Sequence, residues 1–323
     1  MSAPRWAALF PGQGSQSVGM GRELAAAWPE AAEVFATADD VLGESLSRLC
    51  FEGPESELVL TRNTQPALLT VSIAAWRVLA ARVPPPVVAA GHSLGEYSAL
   101  VAAGVLPFAD ALLAVRERGE AMQAAVPVGV GAMAAVIGAA PEIVERLCRE
   151  AAAGDEVVVA ANFNAPDQTV VAGHAAAVAR LAEAAPAAGA RRVIPLPVSA
   201  PFHSPLMRPA AERLARYFQH LRFREGAFPV IANASATPLG GGDTARASLV
   251  EQVASPVRWV ETIRQIEGPF AVEVGVEVGP GKVLAGLTRR IAELVNALGF
   301  ARPEDLEAVV RRLVPGASAG GCC

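Results

Sequence analysis

Two kinds of apolar pattern alternate along this chain of 323 residues. Short apolar runs bounded by glycine or proline mark buried strands, and longer stretches with apolar residues three and four apart mark helices. Residues 6–10 read as a first buried strand, running into a glycine-rich loop at 11–21 and helix-favouring residues from Arg22 onward. The stretch 65–82 is apolar nearly all round, as a helix buried against a sheet would be. After three prolines the run 87–90 predicts another strand, with helices following at 94–103 and 108–125. From 129 to 197 the order becomes βαββαβ: strand 132–137, helix 141–153, strands 156–161 and 168–172, helix 175–187 and strand 191–196. Helix 207–220, strand 229–232, helix 248–253 and strand 272–277 complete the series.

This order predicts an α/β protein. A large α/β-hydrolase-like domain with a parallel-sheet core, residues 1–128 and 198–310, is interrupted by a small ferredoxin-like α+β subdomain at 129–197; residues 311–323 are expected to form a disordered tail. A cleft is expected where the two bodies meet. The uncharged run 121–141 has the length of a membrane span, but Pro127, Gly129, Gly131 and Gly138 interrupt it, so it reads as helix end, loop and strand.

Gly91-His92-Ser93-Leu94-Gly95 lies between the strand at 87–90 and the helix at 94–103. A serine on so sharp a turn needs glycine two positions either way and projects its hydroxyl at a helix N-terminus. Free N–H groups there favour the negative charge that an attacked carbonyl oxygen develops. Such a hydroxyl needs a base, most often histidine, and the chain has four. His92 adjoins the serine and reads first as a packed or capping side chain, His174 as a residue where a helix begins, and His220 as one near a helix end. His203 lies among Pro197, Pro201 and Pro205, a stiff non-helical mount for a functional side chain. A hydrolase of the usual α/β kind would place an acid and then a late histidine after its serine. Here the histidine comes mid-chain and no acid between Ser93 and His203 has an obvious triad position. A thioester expels a weakly basic thiolate, so a backbone or amide oxygen could suffice to orient the ring.

Composition narrows the chemistry further. The net charge of −5 and the absence of a long basic run give no general case for nucleic acid. Cys50 and Cys148 stand alone and Cys322-Cys323 end a small-residue tail, so no disulfide framework or zinc spacing is visible. With no signal sequence at the start, a reducing cytoplasm is expected. Gly12-Gln13-Gly14 lacks the Gly-Lys-Ser/Thr of a phosphate loop, and Gly129, Gly131 and Ala134 precede a strand rather than follow one, against a dinucleotide fingerprint. Gly281-Lys282 is followed by Val283, without a hydroxyl for magnesium.

Taken together the motifs resemble the malonyl-CoA:acyl carrier protein transacylase family, within the acyltransferases of fatty acid and polyketide synthesis. The resemblance runs from Trp6 to Ile291 through Phe10 to Gln16, Gly91 to Leu100, Arg118-Gly119 with Met122-Gln123, Asn162 with Asn164-Ala165-Pro166, His203-Ser204, Glu251 to Trp259 and Val278 to Lys282. It implies Ser93 as nucleophile, His203 as base, and the backbone N–H groups of Gln13 and Leu94 as oxyanion hole. It implies that Gln252 orients His203, by its carbonyl or its side chain, and that Arg118 holds the free carboxylate of malonate. Without the resemblance, Arg118 would read as a solvated arginine paired with Glu117 or Glu120. Phe202 resembles the residue that accompanies unbranched malonyl units in polyketide acyltransferases. The implied partners are malonyl-CoA and an acidic acyl carrier protein, docked on basic residues such as Arg191, Arg192, Arg289 and Arg290. No cofactor, no metal, no nucleic acid and no membrane are expected, and the chain is expected to be a monomer. A trans-acting polyketide acyltransferase and an acyl-thioester hydrolase are the alternatives.

Overall fold

The computed structural model describes residues 3–316 other than 199, 240 and 294. Among these residues nine strands fall into two sheets: β1 (Trp6–Phe10), β2 (Val88–Gly91), β3 (Gly131–Ile137), β4 (Val158–Ala165), β5 (Gln168–His174), β6 (Arg192–Pro195), β7 (Val230–Ile231), β8 (Val274–Val278) and β9 (Asn296–Phe300). The larger sheet is parallel throughout, in the order β7-β2-β1-β8-β9. Alternation along β1 assigns its two faces: Trp6, Ala8 and Phe10 enter one core, while Ala7 and Leu9 enter the other. Sheets covered on both faces need apolar residues on both, which is why the strands read as continuous runs.

The helix Thr61–Ala80 packs into the first core and is buried on nearly every face. It begins four residues before the expected Gln65, because Pro66 lies inside the helix rather than opening it. The extra turn places Gln65 within the fold, facing Arg118. The helices Trp259–Glu267 and Val283–Ile291 cover the other face. Neither they nor β9 follow from the sequence reading. β9 is rich in residues with weak strand preference, Asn-Ala-Leu-Gly-Phe, and is a strand because β8 offers it an edge to pair with.

Residues 131–195 form the second, antiparallel sheet, ordered β4-β5-β3-β6, with the helices Pro141–Ala151 and Ala175–Ala184 on a core of their own. The irregular end of β4 joins the larger unit: the Phe163 N–H donates to the Val257 carbonyl at 2.9 Å, and the Val257 N–H to the Ala161 carbonyl at 2.8 Å. Asp167 adds an ionic tie, accepting from Arg191 at 3.0 Å and also from Arg290 across the junction.

One expected boundary is corrected. The chain does not leave the fold at 311, because the helix Leu306–Leu313 buries Leu306, Val309, Val310 and Leu313 on one apolar face. The rest of the expected tail from 317, with Cys322 and Cys323, lies outside the described residues. Among the described residues no helix is long and apolar enough to cross a membrane. Cys50 and Cys148 are free and buried, and burial pushes both thiols up to about 12.

Candidate active site

β2 ends at Gly91 and the helix Leu94–Ala102 starts three residues later, so Ser93 sits on a turn of two residues. Its φ of 51° and ψ of −105° are strained for a residue with a side chain. Both flanking glycines are required by contact. A Cβ on Gly91 would lie 1.9 Å from the Gly95 carbonyl, and one on Gly95 would lie 2.0 Å from the Phe10 carbonyl oxygen. The same crowding explains the first glycine loop: a Cβ on Gly12 would meet the His92 carbonyl oxygen at 2.4 Å. That loop lies against the elbow, which accounts for its glycine without any phosphate.

His203 reaches this turn from 110 residues downstream, with Ser93 Oγ 2.7 Å from His203 Nε2. Its backbone is also left-handed, at φ 59°. The ring's other nitrogen, Nδ1, lies 2.9 Å from the Gln252 carbonyl oxygen and 3.2 Å from that of Ser255. Two acceptors at Nδ1 hold the proton there and leave Nε2 with a lone pair toward the serine. Of the two Gln252 groups, the carbonyl is the one that lies against His203, while the side chain turns to Arg118 and Glu96. Burial, and then the nearby Arg118 charge, push the His203 pKa down to about 3, so the imidazole is neutral.

Arg118, on the helix Phe108–Ala124, points inward and is only 2% exposed. Its Nη1 donates to Gln65 Oε1 at 2.9 Å, and its Nη2 to Gln252 Oε1 and Ser93 Oγ, each at 3.0 Å. The guanidinium carbon lies 5.6 Å from the Tyr97 ring centroid, and Nε is buried without a partner. Among the described residues no carboxylate is hydrogen-bonded to it. The alternative pairing with Glu117 or Glu120 does not occur, because both of those acids face outward to Arg213. Burial lowers the arginine's pKa, opposed by the nearby Tyr97 and Glu96.

A cavity of about 110 Å³ opens on this constellation, lined by Gln13, Leu94, Arg118, Phe202 and His203 among others, with Met122, Met133 and Val198 as apolar wall. Leu94 is the first residue of its helix, so its N–H has no carbonyl within the helix to bond. A larger groove of about 850 Å³ is lined by residues of both units and by His203. His92 is a packed side chain rather than a base: its Nε2 lies 2.8 Å from Asn164 Oδ1 and its ring 5.5 Å from that of Trp259. His174 stands at the start of the helix Ala175–Ala184, as expected, and His220 two residues past the end of Arg208–Phe218.

Three buried residues behind the site were not found from sequence. Glu96 accepts from Gln252 Nε2 at 2.7 Å, from the Asn233 N–H at 3.0 Å and from Ser248 Oγ at 3.1 Å. Burial raises its pKa, opposed by these bonds and by Arg118. Gln65 and Asn233 complete the set. A glutamate in a helix's first turn reads as a dipole partner, and an asparagine after a strand as a turn residue, so neither carries a local signal.

Residues 8–301 match the protein family described as acyl transferase domain. The chain is 47% identical over 307 residues to the malonyl CoA-acyl carrier protein transacylase of Escherichia coli, covering 95% of this chain and 99% of that protein. The solved malonyl CoA-acyl carrier protein transacylase of Coxiella burnetii superposes with a TM-score of 0.94 at 43% identity, over 96% of this chain and 98% of its own. A malonyl-transacylase solved in complex with its type II PKS acyl-carrier protein gives 0.92 at 45% identity, over 96% and 99%.

Proposed function

As the chain belongs to the acyl transferase domain family, we propose that it is a malonyltransferase, moving the malonyl group of malonyl-CoA to the phosphopantetheine thiol of an acyl carrier protein for fatty acid synthesis. The observation that carries the substrate class is Arg118, a buried guanidinium to which no carboxylate is hydrogen-bonded among the described residues, with its Nη2 3.0 Å from Ser93 Oγ. A planar fork in that position suits a substrate with a free carboxylate beside its reacting carbonyl.

In this reading His203 Nε2 takes the Ser93 proton as Oγ attacks the thioester carbonyl. The N–H groups of Leu94 and Gln13 receive the oxyanion, a contribution on the order of 10²–10³ in rate per donor. The tetrahedral intermediate collapses with loss of the CoA thiolate, which takes the proton from His203 and leaves a malonyl-serine ester. The carrier thiol then gives its proton to His203, attacks the ester, and the returning proton restores Ser93. Malonate assists its own transfer: its carboxylate offsets the Arg118 charge, one of the causes that hold His203 neutral, so the base strengthens when the substrate is seated. Serine, imidazole and backbone donors supply nucleophile, base and charge stabilisation, so the reaction as written needs no cofactor or metal.

Phe202 walls the small cavity and would crowd a branched α-carbon, which supports malonyl over methylmalonyl. The groove of about 850 Å³ beside His203 is the path we assign to the pantetheine arm. For the carrier protein's dock, Arg192 and Arg289 are the better candidates of the four arginines, since Arg191 and Arg290 share Asp167. We read the chain as a cytoplasmic monomer with two domains: a hydrolase-like body of 1–128 and 198–310, extended by the last helix, and a ferredoxin-like 129–197. The βαββαβ order with strands β4-β5-β3-β6 supports the latter. Intact mass spectrometry after mixing with malonyl-CoA tests the proposal. A malonyl adduct on the wild type, absent in Ser93→Ala and cleared by holo carrier protein, is expected. Release of free malonate without an acceptor thiol would point to a hydrolase instead.

A further inference from the structure

We infer that Asn233 is a positioning residue for the nucleophile, a two-point clamp that holds the strained elbow from behind. It rests on the reading of Ser93 as nucleophile. Asn233 is fully buried just beyond β7, and its four polar groups are all engaged. Its Oδ1 accepts from the Ser93 N–H at 2.6 Å, and its Nδ2 donates to the Gly91 carbonyl at 2.7 Å. Its own N–H donates to Glu96 Oε2 at 3.0 Å, and its carbonyl accepts from the Arg258 N–H at 3.0 Å. The carboxamide thus straddles His92 and grips the backbone on both sides of it. A carboxamide offers one acceptor and one donor at that spacing without having to be protonated.

The consequence lies at the reacting atom. Ser93 keeps its left-handed backbone only while its surroundings over-determine it. With its N–H occupied by Asn233, Ser93 contributes no oxyanion donor of its own, and the next N–H, that of Leu94, is left for the pocket. Release of the clamp lets Ser93 relax toward ordinary backbone angles and carries Oγ away from His203 Nε2. Glu96 extends the clamp, since the same carboxylate holds Asn233 and the Gln252 side chain that bonds Arg118.

The test is Asn233→Ala, read by the rate of Ser93 labelling with a fluorophosphonate, by the rate of malonyl-ester formation, and by malonyl-CoA affinity measured calorimetrically in a Ser93→Ala background. A displacement of this kind costs about 100-fold in rate. Both rates are expected to fall by about that factor while the affinity stays at that of Ser93→Ala alone. Wild-type labelling overturns the inference, and so does a loss of affinity equal to the loss of rate, which a general structural role would give. If Asn233→Ala does not fold, Asn233→Ser decides on the same readouts. Its single short hydroxyl cannot bridge the Ser93 N–H and the Gly91 carbonyl together, so labelling at least about tenfold slower is expected and an unchanged rate refutes the clamp. Fluorophosphonate labelling does not depend on which acyl group the enzyme carries. A wild type that labels but forms no malonyl ester would therefore count against the proposed function and leave the clamp standing.

Discussion

Replacing Arg118 with alanine separates recognition of the substrate from the chemistry done on it. In the resting site the guanidinium is met by the neutral oxygens of Gln65, Gln252 and Ser93, with its Nε unpartnered. A malonyl carboxylate would give this buried guanidinium a hydrogen-bonded counter-charge, and losing one member of such a buried pair costs roughly 2–5 kcal/mol. At 1.4 kcal/mol per tenfold, the lower end of that range is about 30-fold and the middle a few hundred-fold. The carboxylate must first displace two amide oxygens from the guanidinium, which argues for about 100-fold. Acetyl-CoA has no carboxylate and loses none of this. The ratio of kcat/KM for malonyl- over acetyl-CoA is therefore expected to fall about 100-fold in Arg118→Ala, measured as single-turnover acylation of Ser93 by intact mass. Damage to packing from the emptied arginine site affects both substrates alike and cancels in the ratio. A ratio equal to the wild type's would refute the assignment of Arg118, however low the absolute rates.

Four further outcomes are expected. With the His203 pKa down near about 3, the acid limb of fluorophosphonate labelling in the free enzyme should lie well below pH 6.5; a limb at 6.5 would contradict the neutral buried imidazole. The same shift has a stability sign. The unfolded chain takes up a proton below about 6.5 that the folded chain refuses until about 3, so this residue's contribution to stability falls as pH drops through that window, a slope that His203→Gln should remove in denaturant titrations. Gly95→Ala places a Cβ 2.0 Å from the Phe10 carbonyl oxygen, where only backbone can yield, and should cost about 3 kcal/mol in urea unfolding, the upper part of the range for overpacking, with a wild-type midpoint ruling out the close approach. Phe202→Ser should raise methylmalonyl-CoA turnover relative to malonyl-CoA in steady-state assays; an unaltered ratio would remove Phe202 from the selectivity argument.

Sequence by itself determined whatever is enforced within a few residues. The continuous apolar strands follow from a sheet covered on both faces. The glycines at 91 and 95 follow from steric contact across a single turn, and the proline-stiffened segment around His203 singled it out among four histidines. Arg118 was legible only through family resemblance, because a buried and a solvated arginine on a helix look alike until the neighbouring helices are in place. Tertiary structure alone decided that Gln252 holds His203 by its carbonyl while its side chain holds Arg118, and that Glu96 and Asn233 stand behind the elbow. Those bonds join residues 49 to 140 positions apart, so no periodicity or spacing encodes them. A hydrogen bond requires atoms within about 3 Å of one another, and folding is what brings such distant stretches of chain to that distance.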